Sequence, residues 1–98
     1  MIIVFGSLNA DFVFAVEDIA RPGETVLASD LKIMAGGKGG NQALAAAKAG
    51  ASVQMVGAVG SDGNADIALA GLQRAGVDLS AIARVERPTG MATIMVDQ

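Results

Sequence analysis

The groups best suited to chemistry in this chain lie in two short stretches, Asn9-Ala10-Asp11 and Ala35-Gly36-Gly37-Lys38-Gly39-Gly40-Asn41. Asp accepts hydrogen bonds, Asn both donates and accepts, and Lys donates, so the three together suit adjacent hydroxyls of a sugar. Four glycines around one lysine are costly to order, because glycine loses more backbone freedom on folding than other residues. Something must therefore approach that backbone closely. One candidate is a ligand whose hydroxyls or phosphates need bare N–H groups, and the other is a strand or helix packed too tightly to leave room for a Cβ. Taken alone, Asn9 and Asp11 also read as a turn pair.

Two phosphate templates fail here. A P-loop needs Gly five residues before the Gly-Lys pair and Ser or Thr after it, but Lys32 and Gly39 occupy those positions. The dinucleotide fingerprint G-x-G-x-x-G is absent after the first apolar run, where Gly6 is followed by Ser7-Leu8-Asn9. With no His and no Cys, thiolate metal sites, disulfides and imidazole bases are excluded, leaving carboxylates, Lys and backbone groups.

The elements that must hold these residues follow from the apolar pattern. Residues 2–5 are a continuous β-favouring run, expected as a strand buried on both faces of a parallel sheet. Residues 12–16 read as a second strand. In an extended chain Asn9 and Asp11 point the same way, just past the end of the first strand, where open α/β sheets bind ligands. Arg21-Pro22-Gly23 signals a turn, and residues 24–27 and 31–34 read as short strands of a small antiparallel element. Residues 42–49 are strong helix formers stopped by Gly50, so the glycine run would end at a helix N-terminus with its free N–H donors. Residues 52–56 return to strand, 57–63 read as a glycine-punctuated strand-to-helix loop, and 65–75 as a helix closed by Gly76, with Asp62 and Asn64 both able to cap it. A weak strand over 81–85, the turn Arg87-Pro88-Thr89-Gly90 and a last strand over 91–96 complete the pass. Alternating strands and helices argue for an α/β layered domain with a mainly parallel sheet, carrying a flap from the residues around 12–34 and 91–98.

Hydrophobic residues make up 52% of the 98 and charged residues 17%, below the roughly 25% usual for soluble domains. A surface so short of charge is expected to be covered by a partner or by further chain, with poor solubility otherwise. The final strand has nothing after it to pair with, and the chain is read as the N-terminal portion of a larger protein. A net charge of −3, seven scattered Lys and Arg, and only three aromatics argue against a nucleic-acid surface. The opening residues lack a signal peptide's basic start, and no apolar run approaches the ~18 residues of a membrane span, so a cytoplasmic protein is expected.

Taken together, Gly6-Ser7-Leu8-Asn9-Ala10-Asp11, Pro22-Gly23-Glu24-Thr25, Gly36-Gly37-Lys38-Gly39-Gly40-Asn41-Gln42-Ala43 and Gly57-Ala58-Val59-Gly60-Ser61-Asp62-Gly63 resemble the N-terminal third of the ribokinase branch of the PfkB sugar-kinase family. The resemblance covers essentially the whole chain. It implies a ribokinase-like layered fold with a small β lid and an ATP-dependent kinase acting on a primary hydroxyl of ribose or a similar sugar. Nucleoside and fructose kinases of the same family are alternatives, as is a non-catalytic truncated or dimerising module. It further implies that Asn9, Asp11, Lys38, Asn41 and the Gly37, Gly39 and Gly40 backbone hold sugar hydroxyls, and that Ala92 and Ile94 of a lid strand beginning at Thr89-Gly90 present an apolar face to the sugar. For Ala92, Ile94 and Val96 ordinary sheet packing is an equal reading.

The family's catalytic segment G-A-G-D, with its base Asp, occurs nowhere in the chain. Nor does the N-x-x-E used near magnesium, since Asn9, Asn41 and Asn64 are followed three residues later by Phe12, Leu44 and Ile67. The resemblance therefore places ATP, Mg2+ and a monovalent cation mostly outside these residues, and implies a homodimer formed through the lid. No catalytic residue and no metal ligand is expected within the 98.

Overall fold

The computed structural model describes residues 1–98. In chain order the elements are β1 (Ile2–Phe5), β2 (Asn9–Ala15), β3 (Asp30–Gly36), α1 (Lys38–Lys48), β4 (Val53–Gly60), α2 (Gly63–Arg74), β5 (Ile82–Val85) and β6 (Gly90–Val96). They form two sheets. One is parallel, in the order β1-β4-β5, and the other is mixed, in the order β3-β2-β6, with β2 antiparallel to β3 and parallel to β6. This is the expected α/β architecture of a parallel layer with a small second sheet.

The core lies between the parallel sheet and the two helices. Val4, Val53, Met55 and Val59 of the strands meet Ala43 of α1 and Ala65, Ala68, Leu69 and Leu72 of α2, with Leu8 and Val77 closing the ends. Alanines on the buried face keep the helices thin, so they approach the sheet closely. Both helices stop as expected at a glycine of positive φ, Gly50 (+99°) and Gly76 (+78°). In each case the next N–H reaches back five residues, Ala51 to Ala46 and Val77 to Leu72, satisfying carbonyls that the helix end leaves open.

Several expectations are corrected. Residues 2–5 are not buried on both faces: Val4 is buried, but Ile3 is 63% and Phe5 84% exposed. The chain is a slab of 47 × 32 × 18 Å, room for about two layers at ~10 Å each, so nothing covers the second face of β1. Residues 24–27 form no strand; β3 begins only at Asp30. Residues 57–60 are strand rather than loop, because they pair with β5, Gly57 opposite Ile82 and Gly60 opposite Val85. Finally, α1 starts at Lys38 rather than at Gln42, so Gly39 and Gly40 lie inside its first turn.

Candidate functional site

Strand β2 begins at Asn9, and its period of two puts Asn9 and Asp11 on one face, as expected. The register completes that face. Asn9 stands opposite Gly36 of β3 and Gly90 of β6, Asp11 opposite Met34 and Ala92, and Val13 opposite Ile94. Residues directly opposite project to the same side of a sheet, so Ala92 and Ile94 share the face of Asn9 and Asp11.

Glycine on both flanking strands makes room for the two polar side chains. A Cβ at Gly36 would run into the Asp11 carboxylate, and one at Gly90 would lie 2.6 Å from the Asn9 side-chain oxygen. Asp11 therefore leans over β3 and Asn9 over β6. Neither glycine stood out as a seat in the sequence, because the cross-strand neighbour of a residue is fixed by register and not by local pattern.

Next in the chain, Gly36 leads to Gly37, the N-cap of α1, which has φ of +93°. A Cβ there would be 2.6 Å from the Ser7 carbonyl oxygen, so only glycine fits. Gly39 packs against Gly6, where an added Cβ would lie 2.7 Å from the Gly6 carbonyl carbon, and the Gly40 N–H donates to the Ser7 carbonyl at 3.0 Å. Close backbone packing, the second of the two readings of the run, thus accounts for Gly37 and Gly39, while an added Cβ at Gly40 would press on the Leu8 side chain at 3.1 Å; together these residues bring the β1–β2 connection against the helix. The two readings are compatible. The first-turn N–H groups of Lys38 and Gly39 take part in none of the chain's hydrogen bonds, no side chain caps the helix, and its first turn holds no acidic residue. The positive end of the helix is open. Lys38 and Asn41 are exposed beside it.

The second helix is built in the opposite way. Asp62, not Asn64, is its N-cap, and its Oδ1 accepts from the Ala65 N–H at 3.0 Å. The same carboxylate accepts the Thr89 hydroxyl at 2.6 Å through Oδ1 and the Thr89 N–H at 3.0 Å through Oδ2, while Thr89 Oγ1 accepts from the Gly60 N–H at 2.9 Å. The Thr89 hydroxyl holds the Asp62 carboxyl below the usual carboxylate range, helped by the Thr89 and Ala65 N–H groups and opposed by burial. Thr89 is only 2% exposed. Asp62 and Thr89 are 27 residues apart, and nothing in the sequence announces the pair.

Hollows of about 430 and 520 Å3 lie elsewhere, the first between α2 and β5 and the second beside Asp62 and Arg87. The face carrying Asn9 and Asp11 is open sheet. No group of three or more His, Cys, Asp or Glu residues could hold a metal ion, so the residues present do not fit magnesium. No helix is long and apolar enough to cross a membrane.

Known proteins resemble this chain in sequence and fold. Residues 1–98 match the family described as pfkB family carbohydrate kinase. The ribokinase of Haemophilus influenzae is 42% identical over 94 residues, 95% of this chain and 31% of that protein. Among solved structures, Arabidopsis thaliana ribokinase complexed with ribose and ATP superposes with a TM-score of 0.89 at 35% identity, over 98% of this chain and 32% of the other. Cryptococcus neoformans ribokinase in complex with ADP gives 0.84 at 42%, over 97% and 30%. The chain spans about a third of the length of these relatives. The two-sheet fold and the match along every residue lead to one conclusion: the chain belongs to the pfkB family of carbohydrate kinases.

Proposed function

We propose that residues 1–98 form the sugar-binding N-terminal part of an ATP-dependent, ribokinase-like kinase that phosphorylates a primary hydroxyl of ribose or a similar sugar. The observation that carries this reading is the polar face of the mixed sheet. Asn9 and Asp11 are seated over glycines of both neighbouring strands, and Gly36 leads directly into the open N-terminus of α1. A carboxylate accepts from two adjacent hydroxyls, the Asn9 amide bridges a third, and Lys38, Asn41 and the free N–H groups of the first turn donate to sugar oxygens. Ala92 and Ile94 give the sugar ring an apolar floor.

Phosphoryl transfer depends on positioning and charge stabilisation. In this reading the 98 residues supply the positioning. The base and the groups that neutralise phosphate charge come from elsewhere in the whole protein, which acts in the cytoplasm and takes ATP, Mg2+ and a monovalent cation there. A homodimer through the mixed sheet belongs to the same reading. It is supported by Leu31, Ile33, Met91 and Met95, which share the face opposite Asn9 and Asp11 and remain 41–60% exposed.

The test is a phosphorylation assay of the whole protein with ATP against ribose, fructose and a nucleoside. Turnover highest with ribose supports the proposal, turnover highest with fructose or the nucleoside moves it to a sister activity, and no turnover with any of them defeats it.

A further inference from the structure

The chain crosses between the mixed sheet and the parallel layer at three junctions. Between β1 and β2, and between β3 and α1, the junctions are made by backbone packed on backbone, Gly6 against Gly39 and Ser7 against Gly37 and Gly40. Between β5 and β6 the junction is made by side chains. There the Thr89 hydroxyl, the Thr89 N–H and the Gly60 N–H are bound in one cluster around the Asp62 carboxylate.

Capping a helix needs only one side-chain oxygen, and Asp62 Oδ1 already fulfils that role for Ala65. Its second oxygen accepts from Thr89 alone. A serine or asparagine would cap α2 without making that second bond, so the carboxylate does more than end a helix. Gly60 contributes by absence, since a Cβ there would strike the backbone of Arg87 and Thr89. One residue after Thr89, Gly90 lies against the Asn9 side-chain oxygen, and two residues further Ala92 stands opposite Asp11. Strand β6 runs in register with β2 from Gly90 opposite Asn9 to Val96 opposite Ala15, so the point where it is anchored at its start bears on which of its residues face the polar side chains.

We propose that Asp62 and Thr89 are positioning residues for sugar binding: their clamp fixes where β6 leaves the parallel layer and so seats Gly90 against Asn9 and Ala92 beside Asp11. This rests on the sugar-binding reading given above. A shift of β6 would release the Asn9 amide from its seat and open the floor beneath the sugar. Neither residue touches the substrate, and the defect on losing the clamp lies in binding the sugar and not in the transfer step.

The experiment compares the whole protein with Thr89→Val, Thr89→Ser and Asp62→Asn, reading KM for ribose, kcat at saturating ribose and ATP, and amide exchange along residues 90–96. Valine keeps the shape of threonine but removes the hydroxyl, whereas Asp62→Asn keeps the cap oxygen and turns an NH2 group toward the Thr89 N–H. The expected result is a KM at least tenfold higher in Thr89→Val and Asp62→Asn, kcat within threefold of the parent, faster exchange in β6, and near-parent behaviour in Thr89→Ser. Should Thr89→Val fail to fold, Asp62→Asn and Thr89→Ser carry the comparison. Faster exchange with an unchanged KM overturns the positioning role while leaving the sugar-binding reading intact. A loss of kcat at unchanged KM, or failure of serine to rescue, also overturns it. A parent protein with no ribose dependence defeats the underlying reading itself, and the sugar-positioning role with it.

Discussion

The two helices begin in opposite ways. At α2 a carboxylate caps the first turn, a buried threonine clamps the carboxylate, and the junction is closed by the chain itself. At α1 the cap is a glycine with no side chain to offer, no acid lies in the first turn, and two N–H groups are left without protein partners. A helix N-terminus carries partial positive charge and free donors, and something must satisfy them. In the proposed reading the α2 junction is structural and the α1 junction is kept open for a ligand. The difference also explains why the glycines cluster at α1. Backbone packing brings the β1–β2 connection close without occupying the donors of Lys38 and Gly39.

The largest expected effect breaks the α1 junction. Gly39→Ala would drive a Cβ to 2.7 Å from the Gly6 carbonyl carbon, backbone against backbone with no flexible side chain to move aside. Overpacking of this kind costs about 3 kcal/mol at the upper end of the usual range, and urea denaturation should show that loss. A midpoint within error of the parent would mean that the close approach at Gly39 is not required.

Acid should strain the α2 junction next. The carboxyls of Asp62 and Asp78 both sit below the ordinary range, Asp62 chiefly through the Thr89 hydroxyl and Asp78 chiefly through Ser80. Folding therefore favours the ionised forms. Their contribution is complete above the unfolded carboxyl value of ~3.9 and disappears as pH falls through the lower folded-state values. Thermal melts should be nearly level from neutral pH down to about 5 and fall steeply below about 4. Asp62→Asn should flatten that acid decline, and an equally steep decline in the variant would remove Asp62 from the explanation.

The smallest effect sharpens the contrast. Lys38 is exposed on the first turn of α1, so Lys38→Ala should change stability by no more than about 0.5 kcal/mol while weakening ribose binding several-fold. Denaturation and calorimetry on the same preparation separate the two, and unchanged binding would take Lys38 out of the site.

The polar face was legible in the sequence because its logic is local. Asn9 and Asp11 are two apart in a strand, and the period of two alone places them together. Gly50 and Gly76 marked both helix ends for the same reason. What was not legible depends on contacts distant in sequence. The early start of α1 runs against the poor helix propensity of Gly39 and Gly40 and is decided by Gly6 and Ser7, more than 30 residues away. The strand character of residues 57–60 comes from pairing with β5. Gly36 and Gly90 became seats for Asp11 and Asn9 only once register was known, and the choice of Asp62 over Asn64 as cap became clear only with Thr89 beside it.

The central claim is that the face of Asn9 and Asp11, beside the open end of α1, binds the sugar. Isothermal titration of ribose into the whole protein and its Asp11→Ala variant tests it directly. Losing a hydrogen bond to a charged group costs about 1.5–3 kcal/mol, so the variant should bind roughly ten- to a hundredfold more weakly while its denaturation midpoint stays close to the parent's. Equal ribose affinity in the two proteins would contradict the account.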